Sequence, residues 1–172
     1  MIQLYYGDGK GKTTASAGAA LRAAGRGRPV IFAQFLKGQE SGEITMLRET
    51  ARIRVLRSEK AFPFFADLTD AQKEELTAVH NGILAQIRQA LQEKQADFIV
   101  LDEITHACRF GLLDESLLDA VLGYGKGADT EIVLTGRMPS AKLLEISDYI
   151  SEIRAVRHPW EKGVPARAGV EL

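Results

Sequence analysis

Short apolar runs alternate along this chain with longer amphipathic stretches. The runs that predict strands are Ile2–Tyr6, Val30–Gln34, Ile53–Leu56, Phe98–Leu101, Glu131–Leu134 and Tyr149–Val156. Their apolar character is continuous within residues 98–101 and 132–134. Continuous apolar runs are typical of parallel strands that helices cover on both faces.

Two stretches between these runs show helical features. Residues Ala15 to Ala24 are rich in alanine, and the longest predicted helix runs from Asp70 to Lys94. Thr69 and Gln72 have the spacing of a capping box at its start. One apolar face then recurs at helical period, at Leu76, Val79, Ile83, Leu84, Ile87 and Leu91. Strands that alternate with helices predict an α/β domain with a mostly parallel sheet.

Parallel α/β sheets bind ligands at the carboxyl ends of their strands. The residues that directly follow the predicted strands are therefore the candidates for chemistry. These are the segments Gly7–Thr14, Lys37-Gly38, Asp102-Glu103 and Thr135-Gly136-Arg137.

The segment after the first strand predicts a phosphate-binding loop. It reads Gly7, Asp8, Gly9, Lys10, Gly11, Lys12, Thr13 and Thr14. Backbone N–H groups in such a glycine-rich turn converge on phosphate at a helix N-terminus. Lys12 is expected to reach the outer phosphates, and the Thr13 hydroxyl to hold magnesium. The alternative is a glycine-rich turn that caps an ordinary helix.

The spacing within this loop departs from the standard P-loop. The standard form has a glycine where this chain has Tyr6, and its first glycine, Gly7, comes one residue late. The dinucleotide-binding fingerprint fails more clearly, because its third glycine would fall on Lys12.

Two further strand ends carry charged residues. Asp102-Glu103 follows an apolar strand, as in a Walker B motif, and is expected to hold magnesium opposite Thr13. The alternative is that Asp102 caps a helix. Arg137 is expected to bind phosphate oxygens, with a surface ion pair as the alternative. Lys10 and Lys37 could add positive charge.

A predicted loop before the long helix contains Phe62, Phe64 and Phe65. Three aromatic residues around a proline are unusual for a loop, because loops normally expose polar residues. They indicate either a packing cluster over the sheet edge or a site for a flat hydrophobic ligand. His158, which precedes Pro159 and Trp160, has the same two interpretations.

Bulk properties limit the function classes. The 172 residues fit one domain, and hydrophobic residues make up 45%. The net charge of −1 gives no basic excess that would indicate nucleic acid as the main partner. The single cysteine, Cys108, excludes an intrachain disulfide, is expected to be a buried structural thiol, and fits a reducing cytoplasm. No apolar segment is long enough for a membrane span.

Together these motifs resemble the P-loop family of ATP:corrinoid adenosyltransferases. The residues that carry the resemblance are Gly7–Thr14, Gln34–Gly38, Ser41–Glu43, Val100–Glu103, Thr135–Arg137, Arg157–Pro159 and the tail Gly163–Glu171. A late first glycine is the family's own form of the loop. The resemblance implies a single P-loop adenosyltransferase domain over residues 1–172, with a RecA-like sheet.

The resemblance also implies the reaction and its participants. The 5′ carbon of ATP is attacked by the Co(I) centre of a reduced corrinoid, and intact triphosphate leaves. Magnesium, with manganese as the alternative metal, assists ATP binding, and a flavodoxin-type protein supplies electrons. A cytoplasmic homodimer is implied, with ATP reversed in the loop relative to ordinary ATPases.

The resemblance assigns the aromatic loop to the corrinoid. Phe62, Phe64, Phe65 and His158 would contact it, and the aromatic residues would exclude an axial ligand so that Co(II) is easier to reduce. Some family members have Phe-x-Trp where this chain has Phe62-Pro63-Phe64. Members often carry an N-terminal extension that contributes to a neighbouring subunit's site, whereas this chain begins at the strand.

Two other functions remain open at the level of sequence. One is a P-loop phosphotransferase, such as a nucleoside kinase or a RecA-like ATPase, in which Glu103 would serve as base or orient water. The other is a nucleotide-dependent binding protein without catalysis. The sequence leaves open whether the corrinoid is cobalamin or a precursor, and whether the role is synthesis or salvage.

Overall fold

The structure is a computed structural model that describes residues 1–39, 41–127, 129–167 and 169–170, with residues 160 and 161 described by their backbone. Ala168 and Glu171 of the tail motif, and the Trp160 side chain, therefore lie outside the described residues.

Within the described residues, six strands form one parallel sheet. They are β1 (Ile2–Tyr6), β2 (Val30–Gln34), β3 (Ile53–Arg57), β4 (Phe98–Asp102), β5 (Glu131–Gly136) and β6 (Tyr149–Glu152). The order across the sheet is β3-β2-β4-β5-β1-β6, and every pairing is parallel. The predicted starts of all six strands are confirmed, and four of the ends differ.

The described helices lie between the strands. They are α1 (Lys12–Gly25), α2 (Gly42–Glu49), α3 (Asp70–Gln92), α4 (Ile104–Arg109), α5 (Glu115–Tyr124) and α6 (Ala141–Ile146), with 3-10 turns at Phe65–Asp67 and Pro159–Lys162. The predicted capping box at Thr69 and Gln72 is present. Helix α3 ends two residues before the predicted Lys94. No described helix has the length and apolar character needed to cross a bilayer.

The core has two halves, one on each face of the sheet. Successive residues of a strand point to opposite faces, so Ile99 and Leu101 pack with α3, α4 and α5, whereas Phe98 and Val100 pack with α1 and α2. The apolar face predicted for the long helix is confirmed, because its residues are buried or partly buried, Leu76 in a small cluster with Leu68 and Leu112 and the others in the first half. The α/β fold with a helix-covered parallel sheet is therefore confirmed.

The strand order determines where the site forms. Strand β5 lies between β1, which leads into the glycine-rich loop, and β4, which ends at Asp102. The carboxyl ends of β1, β5, β4 and β2 consequently meet at one edge of the sheet. One strand therefore separates the strand of the glycine-rich loop from the strand that ends at Asp102.

Candidate functional site

The glycine-rich loop connects β1 directly to α1. The Gly7 N–H donates to the Gly136 carbonyl at 3.2 Å, and the Gly9 N–H donates to the Ile153 carbonyl at 2.8 Å. A Cβ at Gly7 would lie 2.3 Å from the Ile153 carbonyl oxygen, and one at Gly9 would lie 2.7 Å from the Arg154 backbone. These two glycines therefore permit a close approach between the loop and the segment after β6.

Lys12 is the first residue of α1, and its side chain follows the loop. The residue is only 8% exposed, and its ammonium donates to the Gly9 carbonyl at 2.7 Å. Burial, followed by the positive charge of Arg137, lowers the pKa of Lys12. A site that already destabilises an ammonium in this way favours the arrival of an anion.

Asp102 is the centre of a buried polar cluster. Its Oδ1 accepts hydrogen bonds from the Thr13 hydroxyl at 2.9 Å and the Thr135 hydroxyl at 2.7 Å. Its Oδ2 accepts one from Gln34 Nε2 at 3.0 Å. Asp102 is fully buried and does not cap α4, because Glu103 holds the N-cap position in a left-handed conformation with φ of 62°. The capping alternative for Asp102 is therefore wrong.

Glu103 is held as an anion. Burial would raise its pKa, but a hydrogen bond from His106 Nδ1 at 2.6 Å and the charge of Lys37 lower the pKa to about 2. A carboxylate with this pKa is a weak proton acceptor, since general bases work best with a pKa near the operating pH.

Lys37 places its ammonium among the oxygens of this cluster. Its Nζ lies 3.3 Å from Thr13 Oγ1, 3.4 Å from Asp102 Oδ2 and 3.4 Å from Glu103 Oε1. Burial would lower the pKa of Lys37, but the two carboxylates outweigh it and raise that pKa. The sequence indicated only added positive charge at this position.

The oxygens around Lys37 are suited to a hard divalent cation. A hydroxyl and two carboxylates are the ligand types that Mg²⁺ prefers. Among the described residues no group of three or more His, Cys, Asp or Glu side chains could hold a metal alone. The buried Gln34 Oε1, beside Asp102, has no hydrogen-bond partner within the described residues. The site therefore fits magnesium that keeps waters and phosphate oxygens as its other ligands.

Arg137 lies on the turn after β5, and its side chain is exposed. Its backbone carbonyl accepts a hydrogen bond from the Thr105 hydroxyl at 2.8 Å, which fixes the turn. Its positive charge contributes to the lowered pKa values of both Lys12 and Asp8 in the loop. Lys10 and Thr14 are exposed on the same loop.

The aromatic loop divides into packed and exposed residues. Phe62 and Phe65 pack against a small apolar cluster formed by Leu68, Leu76 and Leu112. The Phe65 ring stacks on Phe110, with centroids 3.9 Å apart and planes within 4°. Phe64 is 87% exposed. The packing interpretation therefore applies to Phe62 and Phe65, whereas the ligand interpretation of the loop stays a prediction.

The remaining candidates are His158 and Cys108. His158 is half-buried in the segment after β6. Cys108 is half-buried, and burial raises the pKa of its thiol to about 11, so the thiol stays protonated at neutral pH. This agrees with a structural thiol.

The whole chain, residues 1–172, matches the family described as ATP:corrinoid adenosyltransferase BtuR/CobO/CobP. It is 31% identical to the corrinoid adenosyltransferase of Escherichia coli (strain K12), covering 99% of this chain and 85% of that protein. The figures for the corrinoid adenosyltransferase CobA of Salmonella typhimurium are the same. The corrinoid adenosyltransferase of Pseudomonas aeruginosa is 30% identical over all of this chain and 83% of its own length.

The chain belongs to the ATP:corrinoid adenosyltransferase family. Its activity class is therefore ATP:corrinoid adenosyl transfer, and the resemblance seen in the sequence is confirmed. Among solved structures, the replication initiator DnaA bound to AMPPCP and single-stranded DNA superposes with a TM-score of 0.49 at 16% identity. That superposition covers 88% of this chain and 40% of DnaA, a similarity too low to bear on function.

The sequence analysis gave no individual role to three polar residues that hold the two acids of this cluster. Gln34 and Thr135 are polar positions at or near the ends of otherwise apolar strands, and both donate to Asp102. His106 follows Glu103 by three residues, so one helical turn brings the two side chains together. A polar residue that closes an apolar strand is the signal that could have found the first two.

A separate cavity of about 350 Å³ lies beside α4, α5 and α6. It is lined in part by Cys108, Arg109, Asp119 and Lys142, and none of the predicted site residues contributes to it. The cavity is therefore separate from the polar cluster around Asp102.

Proposed function

We propose that this chain transfers the 5′-deoxyadenosyl group of ATP to the Co(I) centre of a reduced corrinoid and releases triphosphate. A cobalt–carbon bond forms, the bond between C5′ and its oxygen breaks, and the electron pair leaves with the triphosphate. Family membership supports the reaction class. The positive charges of Lys12 and Arg137 support the departure of triphosphate as the leaving group.

The leaving group carries a high negative charge that must be stabilised as it departs. Lys12 and Arg137, whose charges lower the pKa of neighbouring Asp8, are the side chains proposed to do so. Loop N–H groups add fixed dipoles at the start of α1. The proposed ATP-binding residues are Gly7, Asp8, Gly9, Lys10, Gly11, Lys12, Thr13, Thr14 and Arg137.

We assign the metal site to Thr13, Asp102 and Glu103. Magnesium, or manganese in its place, would neutralise phosphate charge when bound there. Thr135 and Gln34 hold the Asp102 carboxylate by hydrogen bonds, and His106 holds Glu103. These three partners are therefore proposed to orient the metal-binding carboxylates.

The surroundings of Asp102 and Glu103 are the observation that most favours adenosyl transfer over phosphotransfer. A kinase requires a base near the acceptor hydroxyl or a residue that orients water. Glu103, the candidate for that role, has its pKa lowered to about 2, and Asp102 is fully buried under four hydrogen-bond donors from neighbouring side chains. Attack by Co(I) on carbon needs no protein base.

The corrinoid is proposed to bind at the aromatic loop. Phe64 offers an exposed ring, and Phe62 and Phe65 lie on the same loop and pack against its apolar cluster. His158 is the further proposed contact. A homodimer, a cytoplasmic location and reduction by a flavodoxin-type protein complete the proposal.

The products of a single turnover test this function. Protein, ATP and magnesium are incubated anaerobically with chemically reduced cobalamin, and phosphate products are separated by ³¹P NMR. We expect adenosylcobalamin and triphosphate in equal amounts, with little ADP. Stoichiometric ADP, or ATP turnover that is indifferent to the corrinoid, would instead support the phosphotransferase.

A further inference from the structure

Lys37 occupies the position in this site where a metal ion would be expected. Its ammonium is within 3.4 Å of Thr13 Oγ1, Asp102 Oδ2 and Glu103 Oε1. These are the same three side chains to which the proposed function assigns magnesium. A lysine ammonium and a divalent cation cannot share one set of oxygens, because the two positive charges repel each other at short range.

The backbone on both sides of Lys37 is held in place. The Leu36 N–H donates to Nε2 of the buried His80 at 3.2 Å, and His80 Nδ1 lies 2.8 Å from the Leu112 carbonyl. On the other side, a Cβ at Gly38 would lie 2.3 Å from the Lys60 carbonyl oxygen, so this glycine is pressed against the next segment. The loop is therefore anchored.

The Lys37 side chain, in contrast, has room to move. It is 42% exposed, whereas Asp102 is fully buried and the Glu103 side chain is 17% exposed. Four flexible side-chain torsions let a lysine ammonium swing toward solvent or toward a bound anion while its backbone stays still.

We propose that the Lys37 ammonium occupies the metal site until ATP binds. In the nucleotide-free protein its ammonium neutralises Asp102 and Glu103 and keeps free divalent metal out of the site. When ATP is bound, the phosphate chain gives the ammonium an alternative anion, and the metal takes the carboxylates. Metal binding is thereby made dependent on ATP. This inference rests on the metal role of Thr13, Asp102 and Glu103 within the proposed function.

Manganese binding tests the inference without any corrinoid. Free Mn²⁺ is titrated by EPR against the wild-type chain, Lys37→Met, and Lys142→Met as matched control. Lys142 is also ion-paired, with Asp119 at 2.6 Å, but lies away from the phosphate loop. Without ATP, we expect Lys37→Met to bind Mn²⁺ at least about tenfold more tightly than the wild type or the control.

With ATP present, the affinities of wild type and Lys37→Met should differ by less than about threefold, because the ammonium then has phosphate to pair with. Equal Mn²⁺ affinity of Lys37→Met and wild type without ATP would overturn the inference. So would an advantage of Lys37→Met that is undiminished by ATP. These results do not depend on adenosyl transfer, so they separate failure of the inference from failure of the proposed reaction.

A second measurement is made on the wild-type chain, in which the positive charge of Lys37 is kept. Lysine is labelled with ¹³C at Cε, and the Lys37 resonance is assigned by its loss in Lys37→Arg. Addition of magnesium and ATP should shift this resonance by more than that of Lys142. If Lys37→Met does not fold, this spectrum of the wild type decides, and an unmoved Lys37 resonance would overturn the inference.

Discussion

Glu103 combines a left-handed backbone with a carboxylate held ionised inside the site. Leu36 and Met138 also have positive φ, at 62° and 49°, and each lies within two residues of a strand end at the same edge. Non-glycine residues in this region cost roughly 1–3 kcal/mol each and concentrate at functional sites. Three neighbouring strand ends therefore share a strained backbone where the substrates are proposed to bind.

The pKa of Glu103 predicts how stability responds to acid. Because the folded-state pKa is lowered from 4.5 to about 2, the carboxylate contributes stability that is complete above about pH 4.5 and is lost as the pH falls toward 2. The full contribution is about 3 kcal/mol, of which about 1.4 kcal/mol is gone at pH 3.5. Urea unfolding of the metal-free wild type and of Glu103→Gln should show a smaller difference in the free energy of unfolding at pH 3.5 than at pH 6.

A difference between these two proteins that stays constant from pH 6 to 3.5 would contradict this assignment of the lowered pKa. The comparison with Glu103→Gln removes the contributions of other acids, such as Asp8 and Asp114, whose pKa values are also lowered.

At the scale of elements, α1 and α3 end in the same way with different residues. In α3 the Gln95 N–H donates to the Ala90 carbonyl and the Lys94 N–H to the Leu91 carbonyl, which is a Schellman motif. Gly27 has the corresponding left-handed position after α1, with φ of 82°. Lys94 has it after α3, with φ of 54°.

Exchanging the residues at these two helix ends should change stability in opposite directions. Lys94→Gly should stabilise the protein by about 0.5–1 kcal/mol, because an L-residue is disfavoured in the left-handed region. Gly27→Lys should destabilise it by a similar amount. Both positions are exposed, and no described atom lies within 4 Å of a Cβ at Gly27. Urea unfolding measures both, and a stability loss in Lys94→Gly would contradict this account.

Substitutions in the aromatic loop should distinguish residues that pack from residues that bind a ligand. Phe64→Ala should leave the melting temperature unchanged, because the ring is 87% exposed, yet impair adenosylation that starts from Co(II) more than adenosylation from Co(I). Phe65→Ala should lower stability by about 1–3 kcal/mol, because it loses the stack on Phe110. Equal impairment of both reactions in Phe64→Ala would remove the proposed role in excluding an axial ligand.

The sequence predicted element starts better than element ends, for physical reasons. Each strand starts where its predicted run starts, but β4 continues to Asp102 because this acid is satisfied by neighbouring donors within the sheet. The end of α3 was missed because Lys94, not glycine, adopts the left-handed turn. Strand β6 stops at Glu152, before the predicted Val156, because the chain turns onto the glycine-rich loop.

The site was predictable in part. Strand ends placed Thr13, Asp102 and Arg137 at one edge of the sheet, because parallel strands align their carboxyl ends. The contact of Lys37 with both acids was not predictable, since it depends on a side-chain rotamer and on the turn that His80 stabilises.

At the scale of the whole molecule, segments far apart in sequence build the glycine-rich loop together. Besides the contacts of Gly7 and Gly9 with the segment after β6, Asp8 accepts a hydrogen bond from the Ala155 N–H at 3.1 Å, across 147 residues of sequence. The loop therefore depends on residues near the C-terminus for its shape.

A methyl group at Gly9 should disturb this contact. Gly9→Ala would place a Cβ within 2.8 Å of backbone atoms of Ile153 and Arg154, so we expect at least about tenfold weaker ATP binding by calorimetry. Gly18→Ala is the matched control, because no described atom lies within 4 Å of a Cβ there. It should bind ATP normally and gain about 0.5–1 kcal/mol of stability within α1. Unchanged ATP affinity in Gly9→Ala would show that the contact is not needed.

The same long-range contact has a consequence for biosynthesis. During translation, residues 7–14 leave the ribosome long before their partners at residues 153–155, because 147 residues of sequence separate Asp8 from Ala155. Strand β5, which pairs with β1, also follows by more than a hundred residues. The nascent chain thus carries an unclosed glycine-rich loop until residues 153–155 have left the ribosome, so a ligand that needs the closed loop can stabilise only chains that have passed this point.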